Sequence, residues 1–307
     1  MYDLVIIGGG PAGIGAGVYA ARKKMKTLLV ADSFGGQSIV SNDVQNWIGS
    51  KSVTGLELAR MLEDHLRSYR SDLDIWDSDR VNKIEKADDG FIISTRNGKS
   101  AETKTILICS GGSRRRLGVP GEDKLDGKGV AWCATCDAPL FKDKTVAIVG
   151  GGNSGLESAV DLNSYASKLY LLNRGDRLKG DPVTQEKVLA MPKMTVFYNA
   201  IVQEILGENF VTGLKYKDLK TGEEKSLTID SVFVEIGNIP NSDFVKDLVK
   251  TNDFGEIVVD PKTQKSSVDG IWAAGDVSDV LYKQNNISAG DAILAVLNIF
   301  DYLHLNK

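Results

Sequence analysis

The chain's reactive residues gather at Trp132-Cys133-Ala134-Thr135-Cys136-Asp137. Two thiols at this spacing can close a small disulfide ring. One thiolate can attack a partner disulfide while the other resolves it. Asp137 follows directly, and a neighbouring carboxylate can move the proton that the exchange needs. The same spacing also serves metal binding. Zinc takes four ligands, and besides three cysteines the chain has only His65 and His304, distant in sequence. A third reading is a pair of inert core cysteines. The remaining cysteine, Cys109, ends the apolar run Ile106–Ile108 and reads as a small buried hydrophobe. Three cysteines are too few, and odd in number, for a secreted disulfide framework.

A second chemistry lies in two glycine turns. Gly8, Gly10 and Gly13 fit G-x-G-x-x-G, with Pro11 and Ala12 inside the motif. The first glycine permits the tight turn and the second lets a pyrophosphate approach the backbone. The third lets helix pack on strand, and the phosphates meet the free N–H groups of the helix start. Asp32 lies 19 residues past Gly13. A carboxylate there can hold ribose hydroxyls. Gly150, Gly152 and Gly155 repeat the motif around Asn153 and Ser154, but the strand that follows ends on Asn173, not an acid. Arg174, Arg177 and Lys179 come next, and an Arg near this place can accept a 2′-phosphate.

Elements that would position these residues are legible around them. Asp3–Ile7 reads as a strand, a small-residue helix follows to about Lys24, and Lys26–Asp32 reads as the next strand. The unit returns as a strand over Lys144–Val149, a helix over Leu156–Ser164 and a strand over Lys168–Asn173. Asp89–Arg96 and Val211–Lys217 read as hairpin strands. Ser266–Ala274 alternates like β-structure before Gly275-Asp276, and Ala289–Leu303 reads as a closing amphipathic helix. The expected class is α/β: two Rossmann-like dinucleotide-binding domains of the three-layer ββα type, the second inserted into the first. Turn formers place the junctions at Gly111–Arg116 and Gly237–Asn241. Arg114-Arg115-Arg116 reads as a solvated junction. The domains would be 1–113 with 241–307, and 114–240, the latter carrying the cysteine pair.

Bulk properties narrow the class further. The chain has 307 residues, enough for about two domains. A net charge of −4 argues against nucleic acid as a partner, because phosphate binding wants a basic face. No apolar run approaches the roughly 18 residues of a membrane span. MYDLVIIGGG has no basic leader region, so a cytoplasmic location is expected.

These motifs together resemble the bacterial-type thioredoxin reductases, and also the C-terminal part of the alkyl hydroperoxide reductase flavoprotein subunit. The resemblance covers essentially the whole chain. Gly8–Gly13 is similar to the FAD phosphate turn of that family, and Gly35-Gly36-Gln37 with Asn46-Trp47 to the loop around its flavin. Cys109-Ser110-Gly111 sits where the family has Ala-Thr-Gly. Cys133–Asp137 matches its redox motif, and Gly275-Asp276 with Tyr282-Lys283-Gln284 its second FAD signature. The resemblance implies FAD held by Gly8, Gly10, Pro11, Ala12, Gly13, Asp32, Gly36, Gln37, Asn46, Ser110, Gly111, Gly275, Asp276, Lys283 and Gln284. It implies a nicotinamide nucleotide at Gly150, Gly152, Asn153, Ser154, Gly155, Asn173, Arg174 and Lys179. Cys136 would face the flavin, Cys133 would attack the partner, and Asp137 would serve as acid and base. The partner would be thioredoxin or a thioredoxin-like protein and the assembly a homodimer. In the family the inserted domain rotates between two working positions, with the junctions as hinges.

Departures from the family pattern bear on the electron donor. Thioredoxin reductases usually carry His-Arg-Arg-x-x-x-Arg where this chain has Asn173-Arg174-Gly175-Asp176-Arg177-Leu178-Lys179. Lys lacks the planar fork of Arg. Gly155 replaces the usual Ala, Ile48 a common Pro, and Trp132 is bulkier than the usual neighbour of the first cysteine. The expectation is weak discrimination between NADPH and NADH, leaning to NADPH. The alternative is a reductase fed by ferredoxin, or one serving another thiol protein such as a peroxide-reducing system.

Overall fold

The computed structural model describes residues 1–41 and 44–305. The chain divides into two compact units, Met1–Ser113 with Ile239–Lys307, and Arg114–Asn238. The first unit opens with β1 (Tyr2–Ile7), α1 (Pro11–Arg22), β2 (Thr27–Ala31), α2 (Gly55–Arg67) and β3 (Leu73–Asp77). It continues with β4 (Val81–Ala87), β5 (Gly90–Thr95) and β6 (Ser100–Ile108). The chain then crosses over through β7 (Gly112–Arg114). The second unit holds β8 (Val130–Ala131), α3 (Ala134–Asp137), β9 (Thr145–Val149), α4 (Asn153–Leu162), β10 (Lys168–Asn173), α5 (Pro182–Leu189) and β11 (Met194–Tyr198). Next come β12 (Ala200–Gly207), β13 (Val211–Asp218), β14 (Glu224–Thr228) and β15 (Ser231–Val234). The chain returns through β16 (Asn238–Pro240) and closes with β17 (Ile271–Ala273) and α6 (Asn285–Leu305).

In the first unit the sheet runs β3-β2-β1-β6-β5-β4, with β17 also on β6. Strand β6 serves two partners along one edge. Its first half pairs antiparallel with β5, Phe91 opposite Thr103, and its last residues pair parallel with β17, Ile106 opposite Ile271. The hairpin thereby splays off as a separate β layer. Strands β1 and β2 are apolar at nearly every position, as a parallel sheet covered on both faces requires. One core joins the sheet to α1 and α6 through Leu4, Ile6, Ala16, Leu29, Val296 and Ile299. The other face is covered by the hairpin and by Val245, Val249 and Ile257.

The second unit repeats the plan with a sheet ordered β11-β10-β9-β15-β8 and an antiparallel layer β12-β13-β14. Its two cores lie on opposite faces, one under α4 and one under that layer. The mixed α/β class is the one read from the sequence.

Two elements differ from expectation. Only Ile271–Ala273 of the stretch Ser266–Ala274 forms a strand, because Val268 accepts the Ile271 N–H in a turn. Helix α6 begins at Asn285, before its apolar stretch, and has no clean polar face: Leu294 and Leu297 are each 37% exposed.

Candidate functional site

The two glycine turns have the same geometry. Gly8 has φ +124° and Gly150 has φ +133°, both in the region L side chains avoid. A Cβ on Gly8 would lie 2.1 Å from the Cys109 carbonyl oxygen, and one on Gly150 2.1 Å from that of Glu235. The third glycine is equally constrained. A Cβ on Gly13 or Gly155 would lie 1.9 Å from the carbonyl oxygen of Gly8 or Gly150, so side chains there would push helix from strand. The second glycine faces space. Around Gly152 nothing approaches within 4 Å, and around Gly10 only Gly36 does, at 3.7 Å. Each leads into a helix with no side-chain cap, so the first N–H groups of α1 and α4 are left for an anion.

A cleft of about 330 Å³ opens at the first turn, within the usual size range of ligand pockets. Of the residues expected to hold FAD, Gly8, Gly10, Pro11, Ala12, Asp32, Gly36, Gln37, Ser110, Gly111, Gly275 and Asp276 line it. Asp276 accepts Gln37 Nε2 at 3.4 Å and Ser288 Oγ at 3.3 Å. Asp32 pairs with Arg96 at 3.0 Å. Gly13 lies behind the turn as the packing glycine. Asn46 and Gln284 stand outside this lining but bond to each other, Nδ2 to Oε1 at 3.2 Å. They join the loop after Gly36 to the start of α6. Lys283 is also outside the lining. It is paired with Glu256 at 3.0 Å and donates to the Ser278 carbonyl.

Some cleft residues carry no sequence signal. Asp79 lines the cleft and is fully buried, and its Oδ2 has no hydrogen-bond partner among the described residues. Such an oxygen costs free energy unless a ligand donor meets it. An elongated diphosphate with hydroxyls and ring N–H groups fits this donor set. The open backbone at Gly10 suits its phosphates, and Asp32, Asp79 and Asp276 supply acceptors along the cleft.

At the second turn, Gly150, Gly152, Asn153, Ser154 and Gly155 come together at the start of α4. The Lys179 N–H donates to the Gly151 carbonyl at 2.8 Å, which brings the 173–179 loop beside them. Arg174 and Lys179 are exposed there. Two asparagines have structural duties. Asn173 is buried and its Nδ2 donates to the carbonyls of Gly175 and Arg177, at 3.0 and 2.8 Å. Asn153 Oδ1 accepts the Asp181 N–H at 2.7 Å. Both shape the loop that borders the turn.

The cysteines form a disulfide with Cα atoms 5.3 Å apart. Cys133 precedes α3, and its carbonyl accepts the N–H groups of Cys136 and Asp137, so the pair and the acid share one turn. Thr135, between the cysteines, donates to Asp161 on α4 at 2.9 Å. The two sulfurs are bonded to each other, and no group of three or more His, Cys, Asp and Glu side chains that could hold a metal ion occurs among the described residues. Cys109 is a buried free thiol, and burial pushes its pKa far above the ordinary thiol range. At the junction Arg114–Arg116, Arg115 and Arg116 are exposed, and Arg116 also has partners. Arg116 bonds Asp123 at 2.8 Å and Asp126 at 2.7 Å and lies 5.0 Å above the Trp132 ring. Trp132 Nε1 donates to the same Asp126 at 2.8 Å. The bulky residue before Cys133 is therefore clamped.

Two glycine turns of one geometry and a Cys-x-x-Cys disulfide occur together in this chain. Residues 2–292 match the family model described as pyridine nucleotide-disulphide oxidoreductase. The chain belongs to that family, whose membership implies FAD and a nicotinamide cofactor. It is 43% identical over 305 residues to a Staphylococcus aureus (strain MRSA252) alkyl hydroperoxide reductase subunit, covering 99% of this chain and 60% of that protein. It is 42% identical over 305 residues to a protein of Bacillus subtilis (strain 168) named NADH dehydrogenase, covering 99% of this chain and 59% of that one. The chain thus spans about three-fifths of the curated relatives it matches. Thioredoxin reductase from Streptococcus pyogenes MGAS5005 superposes with a TM-score of 0.91 at 33% identity, covering 99% of both chains. No helix among the described residues is long and apolar enough to cross a membrane.

Proposed function

We propose that this chain is a flavin-dependent disulfide reductase of the thioredoxin reductase type. FAD occupies the cleft at Gly8–Gly13 and a nicotinamide nucleotide the turn at Gly150–Gly155. Electrons reach the Cys133–Cys136 disulfide, and the dithiol reduces a thioredoxin-like partner. One observation carries this reading: the disulfide sits in the unit that holds the second nucleotide turn, tied to α4 by the Thr135–Asp161 hydrogen bond. Bound FAD would supply the electron relay. The protein's own part is positional. The starts of α1 and α4 bind phosphate, Asp32 and Asp276 hold hydroxyls, Cys133 attacks the partner, and Asp137 moves the proton. Gly111 and Gly237, with φ of +66° and +102°, lie beside the two chain crossings and serve as hinges.

A second reading keeps the chemistry and changes the partner. Identity to the staphylococcal protein favours a thiol protein of a peroxide-reducing system. Steady-state reduction of thioredoxin and of a peroxiredoxin-type disulfide protein distinguishes the two. The first test is anaerobic titration of the purified yellow protein with NADPH, NADH and reduced ferredoxin, following flavin bleaching. Bleaching by ferredoxin alone would overturn the nicotinamide assignment, and release of FMN or no flavin would overturn the whole reading.

Two expected outcomes concern single residues. Asp276→Ala removes a charge-assisted hydrogen bond, worth about 1.5–3 kcal/mol. FAD should then bind about ten- to a hundredfold more weakly, measured by flavin release on dilution. Cys109→Ser should change turnover by less than about twofold but lower stability by about 1–3 kcal/mol, because burial leaves the hydroxyl short of partners. Loss of turnover in a folded Cys109→Ser protein would give that thiol a role in the chemistry.

A further inference from the structure

The second unit holds a part-buried ionisable group, Glu235, with no role in the proposed electron path. Glu235 directly follows β15, at the carboxyl end of the strand beside β9. Its carbonyl oxygen is the atom that a Cβ on Gly150 would strike, so its backbone lies against the first glycine of the turn. Its carboxylate accepts a hydrogen bond from Ser158 Oγ at 2.7 Å. Ser158 is a buried position of α4, the helix whose start closes that turn. In an open parallel sheet a ligand lies outside the carboxyl ends of the strands, where the order reverses. Here β9 leads to β10 and β11 on one side and meets β15 and β8 on the other. Glu235 stands on the β15 side of that reversal.

Charge is what such a residue contributes. The oxidised nicotinamide ring is a cation and the reduced ring is neutral, so a nearby carboxylate favours the oxidised form. Burial pushes the Glu235 carboxyl up to about 7. The Ser158 hydrogen bond and the Arg114 guanidinium oppose that push, while Glu157 and Asp161 on α4 add to it. Its charge therefore appears across the neutral range and is absent below it.

We propose that Glu235 makes the nicotinamide site discriminate between oxidised and reduced cofactor according to pH, holding the oxidised form more tightly once ionised. This rests on the assignment of Gly150–Gly155 to a nicotinamide nucleotide. The test uses the FAD-loaded full chain and isothermal titration with NADP⁺ and with tetrahydro-NADP, a neutral-ring analogue that cannot donate hydride. The ratio of the two affinities cancels the titration of phosphates common to both. Between about pH 5.5 and about pH 8.5 the ratio should shift roughly tenfold toward NADP⁺ in the wild type. It should stay flat in Glu235→Gln. In Ser158→Ala the carboxylate loses a donor, so the midpoint should move up by about one pH unit. A flat wild-type ratio, an equal shift in Glu235→Gln, or an unmoved midpoint in Ser158→Ala overturns the role of Glu235. Absence of binding by either ligand instead removes the nicotinamide assignment, and this proposal with it.

Discussion

Cys133→Ser and Cys136→Ser should each lower disulfide reduction by roughly a thousandfold or more while the nicotinamide still bleaches the flavin. The reason is chemical. A thiolate is the working nucleophile, and a serine hydroxyl at neutral pH neither attacks a disulfide nor re-forms one. The two variants should also differ. With Cys136 replaced, Cys133 can still join a partner, but no second thiol resolves the mixed disulfide. Cys136→Ser should therefore accumulate a covalent complex with an oxidised thioredoxin-like protein on a non-reducing gel, and Cys133→Ser should not. The reverse pattern would exchange the roles of the two sulfurs. Retained turnover in either variant would remove the Cys133–Cys136 pair from the electron path.

Residues that work through backbone were the most legible in the sequence. Gly8, Gly13, Gly150 and Gly155 are glycines because a Cβ would collide with a carbonyl oxygen about 2 Å away. That need leaves a fixed spacing in the chain, and so does the disulfide ring of Cys133 and Cys136. The fold class followed, because two βαβ starts require two parallel sheets. Residues whose role depends on what lies opposite them left no spacing to read. Asp79 reaches the cleft from the segment between β3 and β4, and Glu235, just past the end of β15, meets Ser158 across 77 positions of sequence. Arg116 reads as one residue of an exposed basic run, and its pairing with Asp123, Asp126 and the Trp132 ring left no mark in the spacing. Asn173 shows the same limit in reverse. Its place at the strand end put it among the residues expected at the nicotinamide nucleotide, and nothing in the spacing told that its amide nitrogen bonds two carbonyls of its own loop.

That commitment of Asn173 bears on the electron donor. With its donor group spent within the loop, the choice between NADPH and NADH falls to charge at the loop surface, where Arg174 and Lys179 are exposed. A point charge on Lys binds phosphate with less direction than the planar fork of Arg. The expected wild-type behaviour is weak discrimination with a lean to NADPH and a raised KM. The loop has room to be improved. A Cβ on Gly175 would meet the Arg177 carbonyl oxygen at 3.5 Å and Asn173 Nδ2 at 3.6 Å, both ordinary contacts. The Lys179 backbone N–H is already held by Gly151, so exchanging its side chain leaves the loop anchored. Gly175→Arg combined with Lys179→Arg should add at least one charge-assisted contact to the 2′-phosphate, worth about 1.5–3 kcal/mol. The ratio of kcat/KM for NADPH over NADH should rise about ten- to a hundredfold, mainly through a lower KM for NADPH. An unchanged ratio in a folded, flavin-loaded double variant would mean that this loop does not meet the 2′-phosphate. A wild type that neither nicotinamide reduces, unrescued by the substitutions, would transfer the donor role to a ferredoxin-type protein.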